Sequence, residues 1–498
     1  MATNGLFGYG YSMTETELKL EVGASDAEAL LRSRFLRNAA SEDLLSVYFE
    51  TDGQDLREAG FSLRVRHIGD RRIQTIKADG PAAAGLFVRA EWEQDIVGDT
   101  PIVDADEQPL KHHVGDKVLA GIRPAFRSSI RRSTITSKGR NATIELVFDR
   151  GEISAGDRRS AVCELELELR KGLPAALFAL ARRIDKTVPV RLGVLSKSER
   201  GYRLLADAVR RATKSEPVAL NPDMTAAEAF QTIAGACIRQ FRLNEMVLGE
   251  TDDPSALHQA RVGLRRLRSA LSLFRPMLAG DRFEHLRGEL RWVAATLGEA
   301  RNIDVLVARS SDAGVLAQLH QGRAHAYAEV GEALASSRLR HMMLDLAEWL
   351  SLGEWLTNPD GAALRDQGVL EIAATTLDKH RRRVKRRGKG LVVMDNEQRH
   401  QLRIETKKLR YAAEFFAPLY TRKKELRRTK LFRHAVDALQ EQLGELNDIA
   451  TIPSVLERLG IAEAEQRALS VPDTRKRKIL QDAEEAFEAM TDARRFWR

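Results

Sequence analysis

The chain of 498 residues contains very little cysteine and no long hydrophobic segment. Its two cysteines, Cys163 and Cys237, are too few for a disulfide framework or a zinc site, which favours a reducing compartment. No apolar run approaches the roughly 18 residues that a membrane-spanning helix requires. The N-terminal segment MATNGLFGYG lacks the basic region and the apolar core of a secretory signal. We therefore expect a cytoplasmic protein and no membrane as a partner.

Aromatic residues are also scarce, at 6% of the chain, and they form no recognisable cluster for binding a base. The basic stripe described below also lacks interleaved aromatics for base stacking, which argues against nucleic acid as a partner. The charge excess is mild and uneven. Residues 1–220 carry 34 Lys and Arg against 32 Asp and Glu, so most of the net charge of +8 lies in the rest of the chain. That excess suggests an anionic partner for the second part.

Two kinds of periodicity divide the chain near residues 213–223. Up to about residue 200, short segments alternate with period two between Gly and Asp-Gly turns, which predicts a closed or nearly closed barrel of antiparallel strands. Hairpin turns are predicted in SKGRNATIE, residues 137–145, and in FDRGEI, residues 148–153. Beyond Pro217 and Pro222, helical periodicity runs to the end of the chain. The sequence therefore predicts a multidomain α+β protein with an all-α second domain at residues 220–498.

The helical part repeats itself. The segment HQARVGLRRLRSALSLFRPML, which begins at His258, matches HQLRIETKKLRYAAEFFAPLY, which begins at His400, almost position by position. Two copies so far apart indicate a duplicated helical bundle, because solenoid repeats have periods of ~20–50 residues. We place the copies at about residues 225–345 and 365–498.

Several predicted strands combine an apolar face with a face that carries both signs of charge. In TETELKLEV, near the start of the chain, Leu18, Leu20 and Val22 form the apolar row opposite a row of Glu and Lys. These charged faces either meet water outside an ordinary barrel or line a wide lumen. A lumen with carboxylates and separate Arg and Lys rows would suit a metal-bound polyanion. Carboxylates are hard ligands for Mg²⁺ or Mn²⁺, and Arg and Lys neutralise phosphate oxygens.

This pattern resembles the CYTH, or triphosphate tunnel metalloenzyme, family over roughly residues 12–205. The resemblance rests on an ExExK motif that begins at Glu15, followed by LRVR, TIK, a later Arg-containing strand and ELELEL. It implies an eight-stranded antiparallel β tunnel with helices, in a domain at residues 12–212. It also implies inorganic triphosphate as the substrate and Mg²⁺ or Mn²⁺ as the cofactor.

The resemblance further implies roles for individual side chains. The metal ligands would be Glu15, Glu17, Glu164 and Glu166. The residues that contact phosphate oxygens would be Lys19, Arg64, Arg66, Lys77, Arg132 and Lys197. The catalytic residues would be Glu166 or Glu168 as the base, together with Lys19. We prefer Arg132 to Arg131, which points to the opposite face, and Thr134 stands where the family often has a further basic residue.

The two helical copies carry the same basic stripe. Offsets 0, +3, +7 and +10 fall within an arc of about 80° on a helix. The residues at these offsets are His258, Arg261, Arg265 and Arg268 in one copy and His400, Arg403, Lys407 and Arg410 in the other. Such a stripe is either a solvated face or a polyanion track, and its repetition favours the track.

The helical half resembles the CHAD family over residues 220–498. The resemblance implies a duplicated bundle that binds inorganic polyphosphate in a basic channel, with Arg266 and Lys408 as further binding candidates. A third basic segment, Lys379–Gly390, holds eight Lys and Arg and no acid. It is either a solvated linker or an extension of the anion track that could also touch nucleic acid. The stripe histidines lack nearby metal ligands, so we expect no zinc site.

The sequence as a whole predicts a metal-dependent inorganic triphosphatase joined to a domain that binds inorganic polyphosphate. One alternative is a tunnel enzyme that acts on nucleoside or thiamine triphosphate or cyclises ATP. Another is a non-catalytic polyphosphate-binding protein that localises to polyphosphate granules. A third is a nucleic-acid binder, which only the basic segment Lys379–Gly390 supports.

Overall fold

In a computed structural model, residues 13–78, 82–83, 85–103, 109–278, 280–461 and 471–498 are described, without the side chains of residues 13–15, 82, 83, 89 and 109. The chain forms two compact units. The first comprises residues up to 212 together with 337–352, and the second comprises residues 213–336 and 353–498. The segment 337–352 lies largely in the stretch that the sequence suggested for the first helical copy, yet it groups with the strand-rich unit.

The regular elements follow the predicted change from strands to helices. The strands are β1 (Met13–Val22), β2 (Ala40–Glu50), β3 (Phe61–Ile68), β4 (Arg71–Ala78), β5 (Ala82–Ala83), β6 (Leu86–Asp95), β7 (Arg123–Lys138), β8 (Thr143–Ala155), β9 (Arg158–Lys171) and β10 (Val190–Leu192). The α-helices are α1 (Ala27–Arg32), α2 (Asp55–Glu58), α3 (Pro109–Val114), α4 (Asp116–Leu119), α5 (Ala175–Asp185), α6 (Lys197–Leu205), α7 (Ala226–Leu248), α8 (Pro254–Leu273), α9 (Asp281–Arg309), α10 (Ala313–Ala335), α11 (Ser337–Leu352), α12 (Ala362–Arg365), α13 (Val369–Arg387), α14 (Asn396–Phe416), α15 (Lys423–Arg458) and α16 (Asp473–Asp492). Short 3-10 helices lie at Ala24–Asp26, Arg275–Met277, Glu354–Leu356, Pro359–Gly361, Leu391–Val393 and Ala417–Leu419.

Eight antiparallel strands of the first unit close into a ring, in the order β1-β9-β8-β7-β2-β3-β4-β6 and back to β1. The closure confirms the predicted eight-stranded tunnel. β1 pairs with β6 up to Leu18 and with β10 from Leu20 onward, along the same edge. Leu18 and Leu20 are fully buried on the outer side, whereas Glu17 and Lys19 line a cavity inside the ring. The alternation in β1 therefore separates an apolar outside from a charged inside.

Helix α6 closes one end of the ring from within. Its Tyr202 and Leu204 pack against inward-facing apolar side chains of β2, β7, β8 and β9, among them Phe126 and Ile130. The approach is close at Gly201, where an added Cβ would lie 2.1 Å from the Phe126 ring. A capping box between Ser196 and Glu199 fixes the start of the helix, whose first turn borders the polar part of the lumen.

The predicted turn at residues 148–153 is wrong, because β8 continues through this segment to Ala155. The glycine that suggested a turn, Gly151, has a φ of +153° and pairs with Ile130 of β7. A Cβ at Gly151 would lie only 2.0 Å from the carbonyl oxygen of Ser129. Glycine is therefore required here by the close approach of the neighbouring strand, not by chain reversal.

The second unit is helical and duplicated, as predicted. In one copy α7, α8, α9 and α10 pack in sequence, and in the other α13, α14, α15 and α16 pack in the same succession. The stripe helices α8 and α14 also contact each other. Aspartates cap both of them, Asp253 before α8 and Asp395 before α14.

The linker interpretation of the basic segment Lys379–Gly390 is wrong. Up to Arg387 the segment is the end of α13, and its His380 and Val384 are buried. Arg381 donates hydrogen bonds to the backbone carbonyls of Thr491, at 2.6 Å, and Ala493. The spacing of apolar residues within a highly charged run is what allows this segment to pack as a helix.

Within the described ranges, no helix combines the length and the hydropathy that crossing a membrane would require.

The close approach at Gly151 gives a stability prediction. Gly151→Ala should lower the free energy of unfolding of the first unit by about 1–3 kcal/mol, because the new methyl group must displace β7. Differential scanning calorimetry of the full-length protein is the measurement. The control is Gly139→Ala in the turn between β7 and β8, where the Cβ would come no closer than 3.4 Å to another atom. Equal stability of the two variants would contradict the prediction.

Candidate functional site

The closed ring of the first unit holds a cavity of about 310 Å³. Seven of its described lining side chains are cationic and seven are carboxylates. The cations are Lys19, Arg64, Arg66, Lys77, Arg132, Arg170 and Lys197, and the carboxylates are Glu17, Glu42, Glu91, Glu93, Glu145, Glu166 and Glu168. They face one another because inward-facing positions recur every second residue on each strand. The lining is thus nearly neutral overall but carries dense charge of both signs.

Two lysines and three carboxylates form a buried cluster where β1, β8, β9 and α6 meet. Lys19 lies 3.5 Å from Glu164 and forms a short ion pair with Glu166. Lys197 lies 2.7 Å from Asp149 and 3.0 Å from Glu166, and it also pairs with Glu164. Register places Lys19 directly opposite Glu166 in the β1–β9 pairing. Every charge of this cluster therefore has an opposite partner.

The cluster keeps its members ionised despite burial. Burial raises the pKa of Glu164 and Glu166, but Lys19 and Lys197 outweigh it, so both pKa values lie below the ordinary range, that of Glu166 well below. Burial lowers the pKa of Lys19, and the attraction of Glu164 and Glu166 raises it to a net value above the ordinary one. The pKa of Lys197 is raised in the same way against burial, chiefly by Asp149.

The wall formed by β3, β4 and β6 offers cations whose hydrogen-bonding capacity is not used up. Lys77 pairs with Glu91 at 2.6 Å, and Arg64 lies 3.6 Å from the same carboxylate. The buried Nε of Arg64 has no hydrogen-bond partner in the described part of the chain. Arg66 has no carboxylate partner there, and burial together with Arg64 and Arg132 lowers its pKa to about 9. These guanidinium groups can therefore donate hydrogen bonds to an anionic oxygen.

Two groups of carboxylates stand close enough to share a metal ion. In each group the ligand oxygens lie within 4.8 Å of one another, one being Glu17, Glu166 and Glu168 and the other Asp149, Glu164 and Glu166. The second group is already neutralised by the buried lysines. Glu17 borders the cavity and forms no hydrogen bond or ion pair with a described residue. The first group therefore fits a divalent cation better, since hard oxygen ligands and a nearby anion would complete its coordination.

The cavity brings together most of the side chains that the sequence singled out: Glu17, Lys19, Arg64, Arg66, Lys77, Arg132, Glu166, Glu168 and Lys197. Glu164 is fully buried behind this lining, where it supports the lysines. The side chain of Glu15 lies outside the described residues. Of the two neighbouring arginines, Arg132 reaches the cavity and Arg131 is exposed.

The sequence did not identify several charged partners of these residues. Asp149 accepts two hydrogen bonds from Arg132, at 2.8 Å and 2.6 Å, and thereby orients it. Arg200 links Glu21, at 2.7 Å, to the cluster through Glu164. Asp149 lies four residues after Glu145 on the same predicted strand and therefore on the same face. This spacing could have predicted that Asp149 points into the lumen. Nothing local marks Arg200, because its partners lie far away along the chain.

The second unit holds a separate cavity of about 440 Å³ between α8, α9 and α14. Its described lining contains nine cationic side chains and no carboxylate. They are Arg261, Arg265, Arg268, Arg275, Arg287, Arg291, Arg403, Lys407 and Lys408. Both stripes thus meet in one cavity. The sequence did not identify Arg275, Arg287 and Arg291, although the spacing of the last two on α9 is helical.

Positive charge dominates this cavity, although Arg275 and Arg287 pair with Glu284, and Lys408 with Glu405, carboxylates outside its lining. Burial, followed by repulsion from Arg403 and Arg265, lowers the pKa of Lys407 to about 7. Burial and Arg265 lower the pKa of Arg261 to about 10. The buried Nε of Arg403 has no hydrogen-bond partner among the described residues. The geometry is that of a site in which an anion would relieve repulsion.

The structure does not bring every stripe residue to this cavity. Arg266, the further candidate outside the stripe, does not line the cavity, since it is buried in an ion pair with Glu414 at 2.7 Å. Arg410 pairs with Asp437 at 2.7 Å, and His400 lies 2.9 Å from the amide oxygen of Asn447. His258 is outside the lining, and burial together with repulsion from Arg301 lowers its pKa to about 4.

A closed antiparallel ring with a charged lumen, joined in one chain to a duplicated helical bundle, defines a two-domain tunnel protein. Residues 13–202 match the family model of the CYTH domain, and residues 232–457 match that of the CHAD domain. The chain therefore belongs to the proteins in which a CYTH domain is followed by a CHAD domain. Both resemblances seen in the sequence are confirmed.

Individual relatives match one part of the chain each. An inorganic triphosphatase from Haemophilus influenzae is 24% identical over 196 residues, which are 39% of this chain and 55% of that protein. The CHAD domain from the plant Ricinus communis is 30% identical, with a TM-score of 0.47, and the match covers 57% of this chain and 98% of that one. A putative adenylyl cyclase from Hippeastrum, described as having a dominant triphosphatase activity, is 16% identical, with a TM-score of 0.30 and coverages of 39% and 96%.

The lowered pKa of Lys407 predicts a pH-dependent stability. Below a pH of about 7 the folded protein must hold this ammonium among arginines, so repulsion destabilises it fully there. The destabilisation disappears as the pH rises toward the ordinary value of 10.5, where the lysine is neutral in both states. Lys407→Met should therefore raise the unfolding temperature at pH 6 and have little effect near pH 10.

The control for this experiment is Lys389→Met, an exposed lysine beyond the end of α13. It should leave the unfolding temperature unchanged at both pH values. Calorimetry without added polyanions is the measurement. An unfolding temperature of Lys407→Met at or below that of the wild type at pH 6 would contradict the assigned repulsion.

Proposed function

We propose that the protein is a metal-dependent inorganic triphosphatase whose CHAD domain binds inorganic polyphosphate. The triphosphatase proposal rests on the tunnel. Its guanidinium groups retain unused hydrogen-bond donors, and they face three carboxylates that could together bind a divalent cation. The relationship to an inorganic triphosphatase over the CYTH domain supports the same assignment.

The tunnel residues divide the work of phosphoryl transfer. Arg64, Arg66 and Lys77 would hold the phosphate oxygens of the substrate on one wall. Glu17, Glu166 and Glu168 would hold Mg²⁺ or Mn²⁺ on the opposite side. When bound, the cation would offset phosphate charge and lower the pKa of a coordinated water. This charge matters because the lining alone is nearly neutral and cannot balance a triphosphate.

In the reaction, the oxygen of a water forms a bond to the terminal phosphorus, and the bond from that phosphorus to the bridging oxygen breaks. Phosphate and pyrophosphate leave, and a tunnel carboxylate takes the proton of the water. Glu166 is a weak base, because its ion pairs with Lys19 and Lys197 hold its pKa well below the ordinary range. Glu168 borders the same cavity and pairs with the partly exposed Arg170 at 2.7 Å, so we assign the base to the Glu168 oxygen that would not hold the cation. Lys19 acts by keeping Glu166 ionised and in place.

The lining favours an inorganic substrate over a nucleoside or thiamine triphosphate. Among the described lining residues, Tyr48 is the one aromatic side chain. Its ring is stacked on Phe126 at a centroid distance of 4.6 Å, so that face cannot stack on a base. The rest of the lining is almost entirely charged or hydroxylated. An unsubstituted polyphosphate uses such a surface fully, whereas a base or thiazole ring would lie against charges.

The cationic cavity of the helical domain supports the second part of the proposal, the binding of inorganic polyphosphate. Nine cations without an acid in one described lining call for an anion with many charges. A chain of phosphates presents one charge per unit and would neutralise several of them at once. Exposed aromatic platforms, which single-stranded nucleic acid would need, are missing from this described lining.

A phosphate-release screen tests the proposed activity. Inorganic triphosphate, pyrophosphate, long-chain polyphosphate, ATP and thiamine triphosphate are each supplied with Mg²⁺ or Mn²⁺ and with chelator as the control. We expect the highest kcat/KM for inorganic triphosphate and no turnover with chelator. Faster hydrolysis of a nucleoside triphosphate would reject the assigned substrate, and no hydrolysis of any compound would reject the enzyme.

Glu17→Gln tests the metal group. An amide is a poorer ligand for a hard cation than a carboxylate, so triphosphate hydrolysis should fall by roughly 100-fold or more. The fold should persist, because Glu17 makes no described hydrogen bond or ion pair that the change would remove. The matched control is Glu28→Gln, a carboxylate outside the tunnel that pairs with Arg150. Unchanged turnover of Glu17→Gln at saturating metal would show that Glu17 is not a metal ligand needed for catalysis.

The cationic cavity is tested by charge removal in the full-length protein. Replacing Arg261, Arg265, Arg403 and Lys407 with Ala should weaken the binding of long-chain polyphosphate and flatten its dependence on salt, as loss of phosphate contacts does. The charge-matched control replaces Lys379, Arg382, Arg386 and Lys389, which are exposed on or near α13. Equal losses in both variants would show that bulk charge, not the cavity, binds the chain.

A further inference from the structure

One short connecting segment contacts Lys19 and contains Lys197, the two buried lysines of the tunnel. Residues 190–197, which we call the arch, begin with β10, run past Lys19 and end at Lys197, the first residue of α6. The backbone N–H of Gly193, within the arch, donates to the carbonyl oxygen of Lys19 at 2.8 Å. Both members of the lysine pair are therefore attached to the same piece of chain.

The arch presses closely on Lys19. An added Cβ at Gly193 would lie 2.8 Å from Cγ of Lys19 and 3.2 Å from its carbonyl oxygen. The neighbouring edge bond runs from the Lys19 N–H to the carbonyl oxygen of Gly85 at 3.1 Å. Lys19 thus sits where β1 changes partner from β6 to β10. A displacement of the arch would move the lysine side chain as well as Lys197.

The end of the arch is anchored inside the tunnel, and its beginning is anchored outside. At the end, the capping box of α6 and the ion pair of Arg200 with Glu21 hold the chain. At the beginning, the N–H of Val190 donates to Oδ1 of Asp185 at 2.9 Å. The carboxylate of Asp185 is almost fully buried, with 2% of its side chain exposed, so it needs a cationic partner.

That partner comes from α11. Nε of Arg340 donates to Oδ1 of Asp185 at 2.6 Å, and a second guanidinium nitrogen lies 3.4 Å from Oδ2. His341 lies 3.1 Å from Oδ2. A different ion pair, from Arg182 to Asp345 and Glu348, also joins α5 to α11 without using Asp185. Two links thus join the same two helices, and the one through Asp185 also bonds the backbone of the arch at Val190.

We propose that Asp185 and Arg340 are positioning residues that hold the arch, and through it Lys19 and Lys197, in register with Glu164 and Glu166. The proposal rests on the proposed triphosphatase for its kinetic consequence. It goes beyond that function because it assigns a role in the tunnel to α11, which lies about 140 residues beyond the arch in the chain.

The test compares three full-length variants. Arg340→Met removes the partner of Asp185, Arg340→Lys keeps its charge, and Arg182→Met removes the other link as the matched control. Hydrogen exchange of the peptide that contains residues 190–197 reports on the arch directly, and triphosphate kinetics report on the site. Thermal unfolding of each variant separates these effects from general loss of stability.

We expect faster exchange of the arch in Arg340→Met, with kcat/KM lower by roughly 10- to 100-fold, as for loss of an outer partner of an active-site group. Arg340→Lys should recover most of both effects, and Arg182→Met should show neither even when its unfolding temperature falls. If Arg340→Met does not fold, Arg340→Lys must still show intermediate exchange and activity for the proposal to hold.

Wild-type exchange and activity in both Arg340 variants, or equal kinetic losses in Arg340→Met and Arg182→Met, would overturn the proposal. Failure of the proposed function gives a different result. If the wild-type protein hydrolyses no triphosphate, the exchange of the arch alone decides whether Arg340 anchors it. Unchanged arch exchange in Arg340→Met then rejects the anchoring.

Discussion

The mutual neutralisation of two buried lysines and three buried carboxylates is the interaction on which the tunnel depends. Charges taken out of water are costly, and each is tolerated here because its opposite partners lie close by. Removing one member of such a cluster typically costs about 3–5 kcal/mol, since it leaves an unpaired charge behind. The cluster joins β1, β8, β9 and α6, so it fixes the geometry of the ring at the same place where it fixes the site. Fold and proposed chemistry therefore share the same side chains.

The helical domain follows the opposite principle. Its cavity holds cations whose repulsion is not relieved by any described lining carboxylate, and the lowered pKa of Lys407 expresses that cost. Under the proposed function, an anion that binds there would return the free energy that repulsion removes, which would link affinity to stability. The two domains would then recognise anions differently, by balanced charge in the tunnel and by concentrated positive charge in the bundle.

Local periodicity explains why much of the fold could be predicted. Alternation in TETELKLEV and in ELELEL fixes which side chains share a face, and the repeated segments that begin at His258 and His400 reveal the duplication without any knowledge of packing. Partners from distant positions could not be predicted in this way. Arg266 and Lys408 occupy equivalent offsets, yet Glu414 sequesters the first while the second borders the cavity. Gly151 looked like a turn because the approach of β7 that requires it is a tertiary feature. The grouping of α11 with the strands is likewise invisible to periodicity.

The position of α6 inside the ring has a consequence for how a polymer could be used. Its apolar side chains fill one end of the lumen together with Phe126 and Ile130, so a phosphate chain finds no polar path through that end. Under the proposed function, substrate would enter and product would leave through the other end. A longer phosphate chain would then present its terminus to the carboxylates, and its shortening would proceed from the tip.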